Sequence, residues 1–305
     1  MNDAVERQYI ASIPRFGEIK QILPILKGYS LDKKFLVETA AASYIVKVFA
    51  EADYEAKQAE YEALQAMRRL QVKCTQAYEL GRWEQLGKGY LVLSYIDGES
   101  GEEALPHYTA EQQYQIGLDA GRELLKIHQY SSNSSIQSWY ERKAAKHSAY
   151  MNRYASLGIS IPHDERIIAY IDQHLELMRH RPNSFQHDDF HPSNLIVKNG
   201  ALSGVIDFNR CDWGDPFHEF IKVGMFSVDV SKPFSIGQIK GYFNGQEPSQ
   251  SFWQLYTLYI AMCLISSIVW INKVKPEETP QMMERMIKVM EDHQYFESIV
   301  PSWYS

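Results

Sequence analysis

Between residues 19 and 49, short apolar runs rich in β-branched and aromatic side chains alternate with turn residues. The pattern predicts an antiparallel meander with strands near 20–27, 34–39 and 43–49. From Glu51 to Leu70 the chain changes to Ala, Glu, Lys, Gln and Arg, with Tyr61, Leu64, Met67 and Leu70 recurring every third position, which predicts one long amphipathic helix. A further strand pair is expected near 74–82 and 89–96. The acidic stretch 97–109 has neither period, and the boundary between a 1–96 lobe and a 97–305 lobe is placed at its start. Beyond Thr109 the pattern is helical, with candidates at 110–130, 139–156, 163–178, 217–228, 234–243, 251–272 and 277–293. One island interrupts it: residues 185–208 hold two β-type runs, 195–198 and 202–207, joined by the hairpin signal Asn199-Gly200.

The 305 residues suit about two domains of roughly 150 residues each. A formal net charge of −7 with a sequence pI near 5.8 argues against a nucleic-acid binder, which shows a basic footprint on at least one domain. Cys74, Cys211 and Cys263 are an odd count without C-x-x-C spacing, so neither a disulfide framework nor a structural zinc site is supported, and a reducing cytoplasmic setting is expected. The N-terminus carries scattered charges and no secretory apolar run. The most apolar stretch, 252–271, is near membrane-spanning length but contains Gln254, Thr257, Ser266, Ser267 and four Tyr or Trp side chains, and so reads as a buried helix. No membrane, nucleic-acid or obligatory protein partner is expected.

The densest chemistry is His187-Asp188-Asp189-Phe190-His191-Pro192-Ser193-Asn194, with Asp207 at the end of the next apolar run. One carboxylate to face an attacking hydroxyl and two hard oxygens for Mg²⁺, an Asn amide and an Asp carboxylate, are what phosphoryl transfer requires when nucleotide phosphates complete the metal's sphere. His187, Asp189 and His191 also spell an H-x-D-x-H metal pattern suited to zinc or iron, but that reading leaves Asn194 and Asp207 without a role.

The block resembles the catalytic and metal loops of the aminoglycoside phosphotransferase family, relatives of choline kinases and, more distantly, of protein kinases. Other segments carry the resemblance further. Tyr44-Ile45-Val46-Lys47-Val48-Phe49 is similar to the strand whose Lys contacts the α- and β-phosphates, and Glu60 fits the helix Glu that pairs with it, with Glu62 as the alternative. Residues 90–98, YLVLSYIDG, resemble the inter-lobe hinge, where the carbonyl of Ser94 and the amide of Ile96 would bind adenine. Residues 28–34 fall where the family places its nucleotide-covering turn, with Ser30 near the phosphates. The resemblance implies an α+β, protein-kinase-like bilobal fold: a small antiparallel β-rich N-lobe with one helix, and a larger, mainly helical C-lobe. It implies ATP as co-substrate, with GTP left open, Asp189 as catalytic base or hydroxyl-orienting residue, Asn194 and Asp207 as Mg²⁺ ligands, and a small-molecule acceptor.

Two departures stand out. Asp188 occupies the position where the family usually has Gly, and Asp207-Phe208-Asn209 is followed by no Ala-Pro-Glu, which argues against a protein kinase switched through its activation loop. The expected activity is an O-phosphotransferase acting on an aminoglycoside-like or other amino-bearing alcohol. Alternatives are a metabolite kinase of the choline, homoserine or sugar type, and a catalytically silent nucleotide-binding protein. Carboxylates that would suit a polycation are Asp97, Glu99, Glu102, Glu103, Asp212, Asp215 and Glu219, and Trp213, Tyr242, Trp253 and Trp270 are the aromatics that would cage a quaternary ammonium.

Overall fold

A computed structural model describes residues 3–26, 32–131 and 136–304. The chain divides into two compact units, Met1–Gly98 with Ser203–Arg210, and Glu99–Leu202 with Cys211–Ser305. Ser203–Arg210, which the sequence reading places in the second lobe, therefore belongs to the first.

In the first unit, β1 (Ile19–Ile25), β2 (Lys33–Thr39), β3 (Ser43–Ala50), β4 (Ala77–Trp83) and β5 (Lys88–Ser94) form one antiparallel sheet in the order β1-β2-β3-β5-β4. Alternation puts Phe35, Val37, Val46, Val48 and Val92 on one face, where Ile10 of the short helix α1 (Ala4–Ala11), Ile13 and Phe16 cover them. Helix α2 (Tyr54–Arg69) buries Ala63, Leu64, Ala66 and Met67. Strand β4 begins at Ala77 rather than at 74, because Cys74 makes a parallel bridge to Val205: the Thr75 N–H donates to the Val205 carbonyl and the Val205 N–H to that of Lys73, both at 2.9 Å. These two bonds fix the segment that delivers Asp207.

In the second unit, β6 (Glu99–Ser100) precedes the single turn α3 (Gly101–Ala104) and pairs with β8 (Leu195–Lys198), while β7 (Ser184–Gln186) pairs with β10 (Asp212–Gly214). Asn199 and Gly200, both at positive φ, turn the chain from β8 into β9 (Ala201–Val205). Helices α4 (Ala110–Ile127), α5 (Trp139–Ala155), α6 (Asp164–His174), α8 (Lys232–Tyr242), α9 (Gln250–Val274) and α10 (Thr279–Asp292), with the short α7 (Val228–Val230), make up most of the rest. A Thr109/Gln112 capping box starts α4. Helices α4 and α8 meet backbone to backbone: a Cβ at Gly121 would lie 2.1 Å from the Gln238 carbonyl oxygen, and one at Gly241 2.1 Å from that of Leu118. Helix α9 has the length and apolarity of a membrane span, yet most of it is buried among α5, α6 and α10. The helix expected at 217–228 is instead a 3-10 turn at Pro216–Phe220 followed by a wide π-type turn at Val223–Ser227, since apolar spacing over so short a run does not separate tight or wide turns from the α period.

Candidate active site

Strand alternation that turns Val46 and Val48 into the core turns Lys47 to the opposite face, where α2 lies in the same unit. Lys47 Nζ donates to Glu60 Oε1 at 2.7 Å and to Asp207 Oδ1 at 3.3 Å. Both members of the closer pair are almost inaccessible, Lys47 at 4% and Glu60 at 2% exposure. Burial pulls the Lys47 ammonium down, but the charges of Glu60 and Asp207 and their hydrogen bonds outweigh it, so its pKa is raised and the group stays charged. Lys57, one turn before Glu60 on α2, reaches Glu60 Oε2 at 3.5 Å and also bonds Asp32. Glu62 accepts from Gln58 on the exposed face of the helix. Asp207 sits at φ +68, a conformation that non-glycine residues seldom adopt.

Of the two expected adenine contacts, the Ser94 carbonyl already accepts the Thr75 hydroxyl at 3.0 Å, leaving one lone pair, whereas among the described residues the Ile96 N–H has no hydrogen-bond partner. Ile96 Cδ1 lies against Gly204, where a Cβ would meet it at 2.8 Å. Gly28 and Ser30 lie outside the described residues.

In the second unit the loop between β7 and β8 carries Asp189. Its Oδ1 accepts Lys222 Nζ at 2.9 Å and lies 3.3 Å from His191 Nε2. Burial pushes this carboxyl up, but hydrogen bonding to His191 and the charge of Lys222 prevail, and its pKa falls well below the ordinary aspartate range. Asn194 donates its Nδ2 to the Asp189 backbone carbonyl at 2.9 Å, which presents Oδ1 as its lone-pair-bearing atom. A hard cation prefers such an oxygen, and the Asp207 carboxylate is a second donor of the same class, so the donor types fit Mg²⁺. Among the described residues no group of three or more His, Cys, Asp or Glu converges as a metal cluster, so the H-x-D-x-H pattern does not assemble.

The loop is held from below by Glu219. Its carboxylate accepts the backbone N–H of Asp188 at 3.1 Å and of Phe190 at 3.4 Å, and lies 3.7 Å from His128 Nε2. His187 is fully buried, and its Nδ1 accepts the Asp189 N–H at 3.3 Å. Asp188 adopts φ +60, and its carboxyl is pushed up to about 6 by burial first and the Glu219 charge second.

The remaining candidate acids are mostly committed elsewhere. Asp215 is fully buried, gripped by Arg181 at 2.7 and 2.8 Å and by the Tyr259 hydroxyl at 2.6 Å. Asp212 pairs with Arg142 at 3.5 Å, and Glu102 accepts the Ser193 hydroxyl. Tyr242 and Trp253 are buried in aromatic contacts, Trp213 packs on Tyr130 and Phe185, and Trp270 stands 48% exposed at the end of α9. Residues that sequence reading missed are Lys57, Lys222 and the loop-anchoring role of Glu219. Only Lys57 left a local signal, its one-turn spacing from Glu60.

A family model described as the phosphotransferase enzyme family APH matches residues 21–256. No curated protein matches the chain by sequence. Among solved structures, the chain is similar to a thermostable mutant of aminoglycoside phosphotransferase APH(4)-Ia in a ternary complex with ADP and hygromycin B, at 13% identity and TM-score 0.67 over 94% of this chain and 98% of that one. It is likewise similar to APH(2")-IIa in its gentamicin complex, at 16% identity and TM-score 0.66 over 94% and 97% of the two chains. A third is ADP-bound APH(2'')-Ib, at 16% identity and TM-score 0.66 over 94% and 99%. At these identities the likeness is one of fold: an antiparallel β-sheet unit and a mainly helical unit of the kinase-like type.

Proposed function

Since the chain belongs to the APH phosphotransferase enzyme family, we propose that it is an ATP-dependent kinase of a small molecule, transferring the γ-phosphoryl group to an acceptor hydroxyl. The observation that carries this reading is the buried Lys47–Glu60 pair with Asp207 on the same ammonium. Burying two opposite charges costs several kcal/mol of desolvation per ion, of the order that their attraction returns, so such a pair is poorly explained as a device for stability. Holding a rigid cation for nucleotide phosphates explains it.

In the proposed reaction Asp189, ionised throughout the neutral range, accepts the hydrogen bond of the acceptor hydroxyl and aligns its oxygen on the γ-phosphorus. As the new P–O bond forms, the bond to the β-phosphate oxygen breaks, ADP departs and the hydroxyl proton passes to the Asp189 carboxylate. Lys47 offsets charge on the phosphates. Asn194 and Asp207 each offer an oxygen to Mg²⁺, which when bound neutralises charge on the phosphate oxygens. The Ile96 N–H is the group offered to adenine. The test is ADP release by the purified chain with Mg²⁺ and ATP across an acceptor panel, with Asp189→Ala alongside. Turnover in the variant is expected to fall by on the order of 10² to 10⁴ with ATP binding retained. Full activity in Asp189→Ala would overturn the assignment.

A further inference from the structure

Of the carboxylates beside the catalytic loop, Asp215 is paired with Arg181 and Asp212 with Arg142, while Glu219 is taken up by two backbone N–H groups of the loop with His128 nearby. What faces the loop instead is a set of amines. Helix α5 brings Lys143 and Lys146 to one face by their three-residue spacing. Lys143 is half-buried, 2.6 Å from His218 Nε2 and 5.5 Å above the Trp139 ring, and among the described residues no carboxylate comes within ion-pair distance of it. His218 holds no compensating charge, because burial first and then Lys143, Lys146 and Lys222 drive its pKa far down and keep it neutral. The Asp188 carboxyl feels both Lys222 and Lys143, so these amines lie within electrostatic reach of the residue preceding Asp189. Pairing Asp189 with Lys222 and Asp212 with Arg142 leaves Lys143 and Lys146 with Asp188 and Glu219 as the remaining charges around the loop, and neither of those carboxylates reaches Lys143 at ion-pair distance among the described residues.

We propose that the acceptor is a hydroxyl compound bearing an anionic group, a carboxylate or a phosphate, and that Lys143 binds that group. The proposal rests on the phosphotransferase reading above and deepens it. An ammonium withdrawn from water without a carboxylate partner is costly, and an incoming anion both supplies the partner and gains a charge-assisted hydrogen bond in a partly dehydrated setting. A polycation would meet the Lys143 ammonium as repulsion. Lys146, exposed on the same helix face, adds long-range attraction.

The experiment uses the full chain with Mg²⁺ and ATP and measures ADP release with three acceptor sets: neutral sugars and polyols, the matching sugar acids and sugar phosphates, and aminoglycosides. Release is expected in the sugar acid or the sugar phosphate arm, and which one responds identifies the anion. Lys143→Met is expected to raise the acceptor KM at least about tenfold, and Lys143→Arg, which keeps the charge, to recover most of that loss. A neutral or polycationic acceptor with the highest kcat/KM, and a KM indifferent to Lys143→Met, would overturn the inference. If no arm stimulates release, titration calorimetry of gluconate and glucose 6-phosphate onto the protein with Mg²⁺ and ADP reads the site without chemistry: binding heat lost in Lys143→Met supports it, and no Lys143-dependent heat sinks it. Failure of the phosphotransferase reading has another signature, Asp189→Ala indistinguishable from the wild type in every arm.

Discussion

The backbone N–H of Asp188, a residue at φ +60, donates to Glu219 Oε2 at 3.1 Å, while the Asp188 carboxyl feels the Glu219 charge. Glu219 thus holds the loop backbone, while its charge, after burial, opposes ionisation of the Asp188 carboxyl. The Asp188 carboxyl is raised from 3.8 to about 6, so the folded state binds the proton more tightly than the unfolded one. Stability from this group therefore falls as pH rises between about 4 and 6, and the penalty is complete above that window. At 1.36 kcal/mol per unit it is on the order of 2 to 3 kcal/mol at neutral pH. Asp188→Asn should raise the thermal midpoint at pH 7 and leave it nearly unchanged at pH 4. Asp188→Gly should add the relief of a left-handed backbone at every pH. A gain in Asp188→Asn that is equal at both pH values would show that charge is not its source.

Removing Lys47 leaves the Glu60 carboxylate, at 2% exposure, with only the longer 3.5 Å contact to Lys57. Lys47→Met should lower stability by about 3 kcal/mol and raise the KM for ATP, whereas the double variant Lys47→Met, Glu60→Met should regain at least half of the stability without regaining the KM. Denaturant midpoints and ATP kinetics on the three proteins separate the two effects. Parallel recovery of stability and KM would mean that Lys47 serves packing alone.

How much of this was legible in the chain depends on the range of the causes. Strands β2 and β3, helix α2 and the buried apolar helix α9 follow from local periodicity, and the α+β class follows from them. The Asp188 to Asn194 cluster stands out because its members are sequence neighbours. The start of β4 was misplaced because Cys74 and Thr75 are recruited by Val205, a partner that no local pattern announces. Lys222 was missed for the same reason: it lies 33 residues beyond Asp189, on a stretch whose apolar spacing suggested an ordinary helix rather than a tight turn followed by a wide one. The glycines of α4 and α8 were equally silent, since their meaning lies in the partner helix.

Alanine in place of glycine within an exposed helix ordinarily stabilises it by about 1 kcal/mol. At Gly121 the sign should invert. The added Cβ would stand 2.1 Å from the Gln238 carbonyl oxygen and 2.6 Å from the Tyr242 amide nitrogen, and both obstacles are backbone that no rotamer change can move aside. Helices α4 and α8 must then separate, and Tyr242, whose hydroxyl meets His128 Nδ1 at 2.9 Å, moves with α8. Gly121→Ala is expected to destabilise the protein by at least about 2 kcal/mol, read as a fall in denaturant midpoint. A neutral or stabilising result would mean that the helices pack less closely in solution.

The charge that Lys143 offers to an acceptor is itself pH-dependent. Burial first, and then the charge of Lys146, pull its pKa from 10.5 down to about 8, while Cys263, Asp188 and Asp212 pull it back up; His218, in direct contact, is neutral and contributes no charge. The ammonium is present below about 8 and is lost as pH rises through that value. Above it, the affinity for an anionic acceptor should fall roughly tenfold per pH unit until the bound anion's own stabilisation of the ammonium limits the loss. An arginine at the same position does not deprotonate in this range, so Lys143→Arg should hold an acceptor KM that is flat from pH 7 to 9.5 while the wild-type value climbs. Because the anion restores the proton, binding near pH 8 should also take up protons, visible as a calorimetric enthalpy that changes with the ionisation heat of the buffer. A wild-type KM as flat as that of Lys143→Arg, with no buffer dependence of the enthalpy, would remove Lys143 from acceptor binding.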